Sequence, residues 1–531
     1  MEKRILIAAV LSIVVLFLYQ QATVRWVSPP ETVHQEIAPE KSTPAQKIEE
    51  KNPPAVLTAP STTDAKTSPL QQSDEKNITI ETPLYKAVFT SIGGGIKGFE
   101  LKRYKETLDG ASKNIDVIKP ISMPLYSLQT DLLNKGAVQF AMPAKNILLN
   151  AAGQTADIVL SWESPEGIRI DKKYVFSSDT YNIQLDVSVS NKSSQNITST
   201  LSLDLFALSG AVKEEEKSYH HGPIAYVNGN VAKKTASDKE ESVKGKINWV
   251  ALEDKFFISA VMPEDKENLA WSSSAPFKDI IRSRLDANLN IAPNASVVKK
   301  YTVYIGPKEY DILKSLKVNL EEAIDFGWFA FLARPFLVAL NFLNSYIQNY
   351  GIVIILLTVI IKILFHPLTK QSLNSMKAMQ SLQPQMTALR EKYKDNKEKM
   401  NKELMELYKR NKVNPVGGCL PMVLQIPVFI ALYNVLSASI EMRHAPFVLW
   451  IHDLSAKDPY LVTPILMGAT MLWQQKMTPS AMDPQQAKVM LIMPIIFTFM
   501  FLNFPAGLVL YWLINNILSI AQQYYIQKTA K

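Results

Sequence analysis

Long stretches without a charged residue in the C-terminal part of the chain constrain its fold more than any other feature. Three of these stretches contain 28, 17 and 39 residues and are bounded by Lys412 and Glu441, by Asp458 and Lys476, and by Lys488 and Lys528. A helix needs about 20 mostly apolar residues to cross the hydrocarbon core of a bilayer. The third stretch contains the turn sequence Asn-Phe-Pro-Ala-Gly at 503–507, so we expect two spans from it and one from each of the others.

Two more apolar segments bring the expected number of spans to six. Residues 350–365 carry a single charge, Lys362, and residues 5–26 follow the basic pair Lys3-Arg4. No small-residue cleavage site follows Tyr19. We therefore interpret residues 1–26 as an uncleaved signal anchor, with a cleaved signal peptide as the alternative. The other five spans are expected near residues 350–366, 415–440, 459–475, 488–503 and 507–526.

The charge of the chain is divided unevenly between its two parts. Residues 326–531 carry 19 Lys+Arg against 9 Asp+Glu, whereas residues 1–325 carry 38 against 40. Residues 369–412 alone hold 11 basic and 5 acidic side chains. Basic residues collect on the cytoplasmic side of membrane proteins. We therefore expect residues 369–412 and both termini in the cytoplasm, and residues 27–325 on the opposite side of the membrane.

The exported region divides into a linker and a folded domain. Residues 28–76 contain eight prolines among 49 positions and few aromatic residues, which indicates a disordered linker over 27–77. Residues 78–325 instead show apolar residues at every second position, as at Tyr181, Ile183, Leu185, Val187 and Val189. Such alternation is typical of half-buried strands, and it predicts a large antiparallel β-sandwich.

Patterns that would indicate an enzyme or a metal site are weak. The glycines 93–95 lack the sequence of a phosphate-binding loop, so a turn or bulge is the better interpretation. His220-His221 lacks a third ligand at metal-binding spacing and reads as a solvated loop. The one cysteine, Cys419, lies in an apolar stretch without a nearby base. We therefore predict no catalytic residues, metal, cofactor or small-molecule substrate.

Lys362 is the most informative single residue. An ionisable side chain inside a membrane span is costly and usually faces a protein interior or a wet cavity. The alternative is that Lys362 extends along its helix to the nearby headgroups. Gln425 gives another span a polar position. The preceding residues, 326–349, alternate polar and apolar side chains at helical spacing, which predicts an amphipathic helix lying in the membrane interface.

The basic segment 369–412 is predicted to form a helical hairpin. One apolar seam is formed by Met376, Met379, Leu382, Met386, Leu389, Tyr393, Met400, Leu404, Leu407 and Asn411. Lysines and arginines then point outward, and Pro384 is expected to kink the first helix. We assign contact with an anionic partner, such as ribosomal RNA or a nascent-chain complex, to the basic residues Lys377, Arg390, Lys392 and Lys394. The alternative is that these charges only set the topology and contact anionic lipid.

Several sequence motifs resemble one family of membrane proteins. They are YG at 350–351, TVIIK at 358–362, HPLTK at 366–370, KVNPVGGC at 412–419, APFVLWIHDL at 445–454 and FPAGLVLYW at 504–512. The chain resembles the YidC membrane-protein insertases, in the Gram-negative form with a large periplasmic domain. The resemblance implies an inner-membrane protein whose core of five helices encloses a hydrophilic groove. It also implies nascent membrane proteins, the Sec translocon and the ribosome as partners, and a β-sandwich similar to that of sugar enzymes.

The resemblance also suggests which residues line the groove. The family usually has an arginine at the position of Lys362, and its substrate-contact positions match Phe429 and Trp512. We assign the substrate groove to Lys362, Thr358, Gln425, Phe429 and Trp512. The predicted function is insertion and folding of inner-membrane proteins, without enzymatic chemistry or DNA binding. A channel or transporter, or a structural assembly factor without insertase activity, is the alternative.

Overall fold

The computed structural model describes residues 75–132, 136–209, 219–413, 420–478 and 484–529. The predicted anchor at 1–26, nearly all of the predicted linker and Cys419 lie outside these residues. Within them, 18 strands between Asn77 and Pro307 form a β domain, and nine α-helices follow between Tyr310 and Thr529. The order agrees with the expectation of a β domain followed by a helical core.

The strands are short to medium in length and follow one another with few helical interruptions. The first nine are β1 Asn77–Glu81, β2 Tyr85–Thr90, β3 Ile96–Lys105, β4 Asn114–Ile118, β5 Thr130–Leu132, β6 Ile147–Leu148, β7 Thr155–Glu163, β8 Ile168–Ser177 and β9 Asn182–Asn191. The other nine are β10 Ile197–Leu208, β11 Gly222–Val227, β12 Asn230–Lys233, β13 Glu241–Gly245, β14 Ile247–Glu253, β15 Phe257–Pro263, β16 Leu269–Phe277, β17 Ile280–Ile291 and β18 Ser296–Pro307.

These strands form three sheets. The largest has eight strands in the order β12-β11-β14-β15-β18-β9-β8-β7, and the two smaller ones have the orders β13-β16-β17-β10-β5 and β4-β3-β2-β1-β6. Every pair is antiparallel except β1 with β6. Strand β14 of the large sheet packs against β10, β16 and β17 of the second sheet. The predicted antiparallel β-sandwich is therefore confirmed.

The alternation of apolar residues gives the reason for this packing. In β9 the side chains of Ile183, Leu185, Val187 and Val189 are buried, as their spacing predicts. Strand β10 differs, because residues 201–206 are buried on both faces. Sheets covered on both sides do not need alternation.

A fully buried lysine joins two turns of the β domain. Lys172 Nζ donates to the carbonyl oxygens of Gly93 at 3.2 Å, Gly94 at 2.8 Å and Leu128 at 2.5 Å. Both glycines have positive φ, of 64° and 57°, which favours glycine over residues with a Cβ. The glycine run is thus a turn, as its sequence predicts.

The α-helices of the core range from 6 to 32 residues in length. Their bounds are α1 Tyr310–Ser315, α2 Ala330–Ile347, α3 Tyr350–Ser381, α4 Gln383–Lys392, α5 Lys397–Arg410, α6 Leu420–Ala438, α7 Val462–Met477, α8 Pro484–Phe501 and α9 Ala506–Thr529. Short 3₁₀ helices occur at Leu320–Ala323, Gly327–Phe329 and Ile440–Met442.

Helix α3 is much longer than its sequence predicts. The expected span ends near residue 366 and the expected hairpin begins at 369, whereas α3 continues unbroken to Ser381. Pro367 lies inside it and removes one backbone donor without ending the helix. The Thr369 hydroxyl donates to the Phe365 carbonyl at 3.0 Å, which adds a hydrogen bond to the helix backbone next to Pro367.

The hairpin helices α4 and α5 pack through the predicted apolar seam. Leu382, Met386 and Leu404 form its buried centre. Pro384 lies in the first turn of α4, so the chain breaks between two helices where a kink was expected. Asn411 does not belong to the seam, because its exposed side chain donates to the carbonyl of Leu407.

The loops at the opposite end of the core are hydrogen-bonded to each other. In the α8–α9 connection, Ala506 N donates to Ala456 O at 2.7 Å, and Gly507 N donates to Leu454 O at 2.9 Å. Both acceptors lie in the α6–α7 loop. These bonds join the two loops to each other at this end of the core.

The first turn of α3 packs closely under the same α6–α7 loop. The Asn349 side chain caps α3 by accepting from Ile352 N and donates to Phe447 O at 3.1 Å. A Cβ added at Gly351 would overlap the Phe447 ring. Glycine at this position therefore permits the close contact between helix and loop.

Two helical segments of the described chain are long and apolar enough to cross a membrane by length and composition, Gly327–Ile347 and Tyr350–Ser381. Val423–Ala438 and Met490–Phe501 are shorter apolar helices. The interfacial position of residues 326–349 stays a prediction.

Candidate functional site

Lys362 lies about 18 Å along α3 from its first residue, since each helical residue advances the chain by about 1.5 Å. Its Nζ donates to Ser519 Oγ on α9 at 2.7 Å, and Ser519 Oγ donates to the Asn515 carbonyl at 2.7 Å. The lysine side chain is half-buried. Its ammonium group therefore lies at the α3–α9 contact, bonded to the neighbouring helix.

Cavities lie on both sides of Lys362. The smaller has a volume of about 30 Å³ and lies between α3, α6 and α9, with Gln425 and Asn515 in its wall. A cavity of this size with polar groups in its wall has room for about one water molecule. The larger is an open cleft of about 390 Å³ between α3 and α9, lined in part by His366 and Gln522, whose ring Nδ1 and side-chain Nε2 are 2.9 Å apart.

Phe429 and Trp512 meet in an aromatic cluster of the core. Their ring centroids are 4.8 Å apart and perpendicular. Phe501 and Phe497 also contact Trp512, with centroids 5.3 and 6.2 Å away. Among the described residues, the enclosed Trp512 Nε1 has no hydrogen-bond partner. The cluster is therefore apolar, with one unused donor.

One face of α9 joins this aromatic cluster to Lys362. Trp512, Asn515 and Ser519 are three and four residues apart, and residues with that spacing share a helix face. The distance from Trp512 to Ser519 along the axis is about 10 Å. We call the surface formed by this face, Lys362, Gln425 and Phe429 the candidate groove.

Four of the five predicted groove residues lie on this surface, and Thr358 does not. The Thr358 side chain is buried, and its hydroxyl donates to the Ile354 carbonyl of its own helix at 2.6 Å. Sequence reasoning missed Ser519. Its spacing of seven residues from Trp512 is the signal that would have found it.

The predicted partner-binding residues of the hairpin differ in their surroundings. Lys377 Nζ donates to the Ile526 carbonyl at 3.2 Å, near the end of α9. Lys392 and Lys394 are exposed, with Lys392 Nζ 5.4 Å from the centre of the Tyr393 ring, and Arg390 is half-buried. Lys377 thus has an intramolecular role, whereas Lys392 and Lys394 face solvent.

No cluster of three His, Cys, Asp or Glu side chains that could hold a metal ion occurs within the described ranges. The candidate groove offers a cation, amides, a hydroxyl and aromatic rings. Such an arrangement suits non-covalent binding of a chain with acidic and apolar parts.

Comparison with known families and proteins gives matches over nearly the whole chain. The family described as 60Kd inner membrane protein matches residues 342–531, and the YidC periplasmic domain matches residues 77–339. A membrane protein insertase YidC from Syntrophus aciditrophicus is 42% identical over all of both chains. Another from Geotalea daltonii is 43% identical over all of this chain and 99% of its own.

Solved structures similar to this chain include a crystal structure of an active YidC insertase with the first transmembrane domain resolved. It is 19% identical, covers 85% of this chain and 92% of its own, and has a TM-score of 0.38.

Proposed function

The chain belongs to the YidC family of membrane protein insertases, and we propose that it inserts membrane proteins through the candidate groove. The observation that carries the proposal is the position of Lys362. Its ammonium group lies at the contact of two apolar helices, next to a cavity whose wall includes Gln425 and Asn515, and bonded to one hydroxyl. A cation with so few fixed partners in such a place is available to an acidic group of another chain.

The mechanism uses both ends of the groove. An acidic segment of the nascent protein enters from the hairpin side, attracted by Lys362. Its apolar helix meanwhile passes the cluster around Phe429 and Trp512 into lipid. Burial of that apolar helix supplies the driving force, at roughly 25 cal/mol per Å². Because the loops at the far end are hydrogen-bonded to each other, they oppose a continuous pore and hence a channel.

The same proposal includes the topology and partners expected from the sequence. The protein spans the inner membrane six times, with five spans in the core, and both termini and the hairpin face the cytoplasm. The β domain is periplasmic. The exposed Lys392 and Lys394 supply positive charge for the ribosome or for anionic lipid, and insertion occurs alone or with the Sec translocon.

Substitution of Lys362 tests the proposal. We expect Lys362→Arg to retain insertion of a single-span substrate with an acidic tail into reconstituted vesicles. Lys362→Ala should lower the yield about tenfold, which corresponds to about 1.4 kcal/mol, and Lys362→Glu should lower it further.

Lys370→Ala is the matched control, because Lys370 is an exposed lysine two turns further along α3. It should insert the substrate as the unmodified protein does. Equal insertion by all Lys362 variants would refute the role of the charge. Ion flux through the purified protein in vesicles would favour a channel.

A further inference from the structure

One arginine of the α6–α7 loop contacts the β domain. Arg443 Nη2 donates to the Lys105 carbonyl at 2.6 Å and to the Glu106 carbonyl at 3.3 Å, both at the end of β3. The guanidinium carbon also lies 5.9 and 5.7 Å from the ring centres of Phe256 and Phe257. This arginine therefore connects the loop to two separate strands of the β domain by hydrogen bonds and by cation–π contacts.

Two residues before Arg443, an acidic side chain faces further carboxylates. Glu441 lies near the side chain of Asn341 and within electrostatic reach of Glu309 and Asp311. Asn341 Nδ2 donates to Asp311 at 3.3 Å, and its oxygen accepts from the Tyr350 hydroxyl at 3.2 Å. One amide of α2 thus links Tyr350 of α3 to an acid of α1, which directly follows the β domain.

The cluster is unfavourable when all of its carboxylates are ionised. Glu441 Oε2 is enclosed without a hydrogen-bond partner in the described part of the chain. Burial, and then the negative charges of Glu309 and Asp311, raise the pKa of Glu441 from 4.5 to about 7. The Tyr104 hydroxyl donates to Glu309 and helps to hold that second carboxylate in place.

We propose that these contacts form a latch between the β domain and the helical core, held by Arg443 and loosened when Glu441 loses its proton. The groups facing Glu441 are Glu309 and Asp311 beside the β domain, Asn341 of α2 and Tyr350 of α3. The latch is separate from the candidate groove and does not depend on the proposed insertion function.

The direction of the pH effect follows from proton linkage. Glu441 binds its proton more tightly in the docked state than in water, so docking is strongest below the ordinary carboxyl pKa of 4.5 and weakens as the pH rises through about 7. Between about pH 5.5 and about pH 8 the docking equilibrium constant should fall, by at most roughly 25-fold, the value for a pKa shift that comes entirely from docking.

Distance measurement between two spin labels tests the latch in the full-length protein in lipid nanodiscs. In a Cys419→Ser background, one label is attached through Lys278→Cys, in the exposed turn after β16, and the other through Val448→Cys in the α6–α7 loop. We expect one narrow distance distribution at about pH 5.5 and an added broad population at about pH 8.

Three variants decide between outcomes. Glu441→Gln should keep the narrow distribution at both pH values, and Arg443→Met should broaden it at both. Glu264→Gln, an exposed acid elsewhere in the β domain, should retain the pH response of the unmodified protein. Distances that do not change with pH, or a pH response that persists in Glu441→Gln, would overturn the latch.

Discussion

The β domain and the helical core each enclose a lysine, and their surroundings differ sharply. Lys172 in the β domain is fully buried and reaches three carbonyl oxygens, so each donor of its ammonium group has a partner. Lys362 in the core is half-buried beside two cavities, and its ammonium group donates a hydrogen bond to Ser519. The first environment stabilises a fold, whereas the second leaves a charge available to a ligand.

The largest effect is expected from removing the buried amine of the β domain. Lys172→Met should destabilise the protein by about 3 kcal/mol, because it removes three hydrogen bonds to buried carbonyls. The carbonyls of Gly93 and Gly94 keep a second donor, Thr130 N and the Tyr174 hydroxyl. Lys362→Met should cost less than about 1 kcal/mol, because Ser519 keeps its bond to Asn515. Chemical denaturation of the full-length protein, followed by circular dichroism, measures both. Equal losses of stability would contradict the comparison.

A smaller effect is expected where the core is packed most closely. Gly351→Ala should destabilise the protein by about 2 kcal/mol, because its Cβ would overlap the Phe447 ring. The thermal midpoint in detergent measures the change. Gly110→Ala in the β domain is the control, because nothing lies within 4 Å of its added Cβ. If both variants melted alike, close packing at Gly351 would not matter.

The smallest effect concerns the hydroxyl partner of Lys362. Ser519→Ala should lower insertion of the acidic-tailed substrate about fivefold, which corresponds to about 1 kcal/mol, because the ammonium group loses its fixed position. Ser375→Ala is the control, since the Ser375 hydroxyl is exposed and only donates to Gln371 of its own helix. An unchanged yield for Ser519→Ala would show that the charge alone suffices.

Local patterns in the sequence predicted much of the fold. The alternation around residue 183 locates β9, and the apolar seam of the basic segment locates the packed faces of α4 and α5. Both patterns repeat within a single strand or hairpin, so their partners are close in sequence. The span expected to end near residue 366 stays a prediction, but its helix α3 continues through Pro367 to Ser381, which the apolar pattern alone did not indicate.

The candidate site was only partly predictable. Lys362 and Trp512 are recognisable as unusual residues, but the bond from Lys362 to Ser519 joins positions 157 residues apart. The contact from Lys172 to Gly93 spans 79 residues. Neither contact produces a repeating pattern in the sequence, because each one depends on which helices or strands become neighbours in the fold.

The unbroken length of α3 has a mechanical consequence. Its 32 residues form one continuous helix about 48 Å long, which runs from the α6–α7 loop past Lys362 to the start of the hairpin. If a bound partner rotates the hairpin about the axis of α3, Lys362 therefore rotates with it. Helix α3 bends most easily at Pro367, just beyond Lys362, because proline lacks the N–H group that would form one of the backbone hydrogen bonds of the helix. A bend at Pro367 would leave Lys362 in place. Rotation of the whole of α3 about its axis would instead move the Lys362 side chain across the surface of α9.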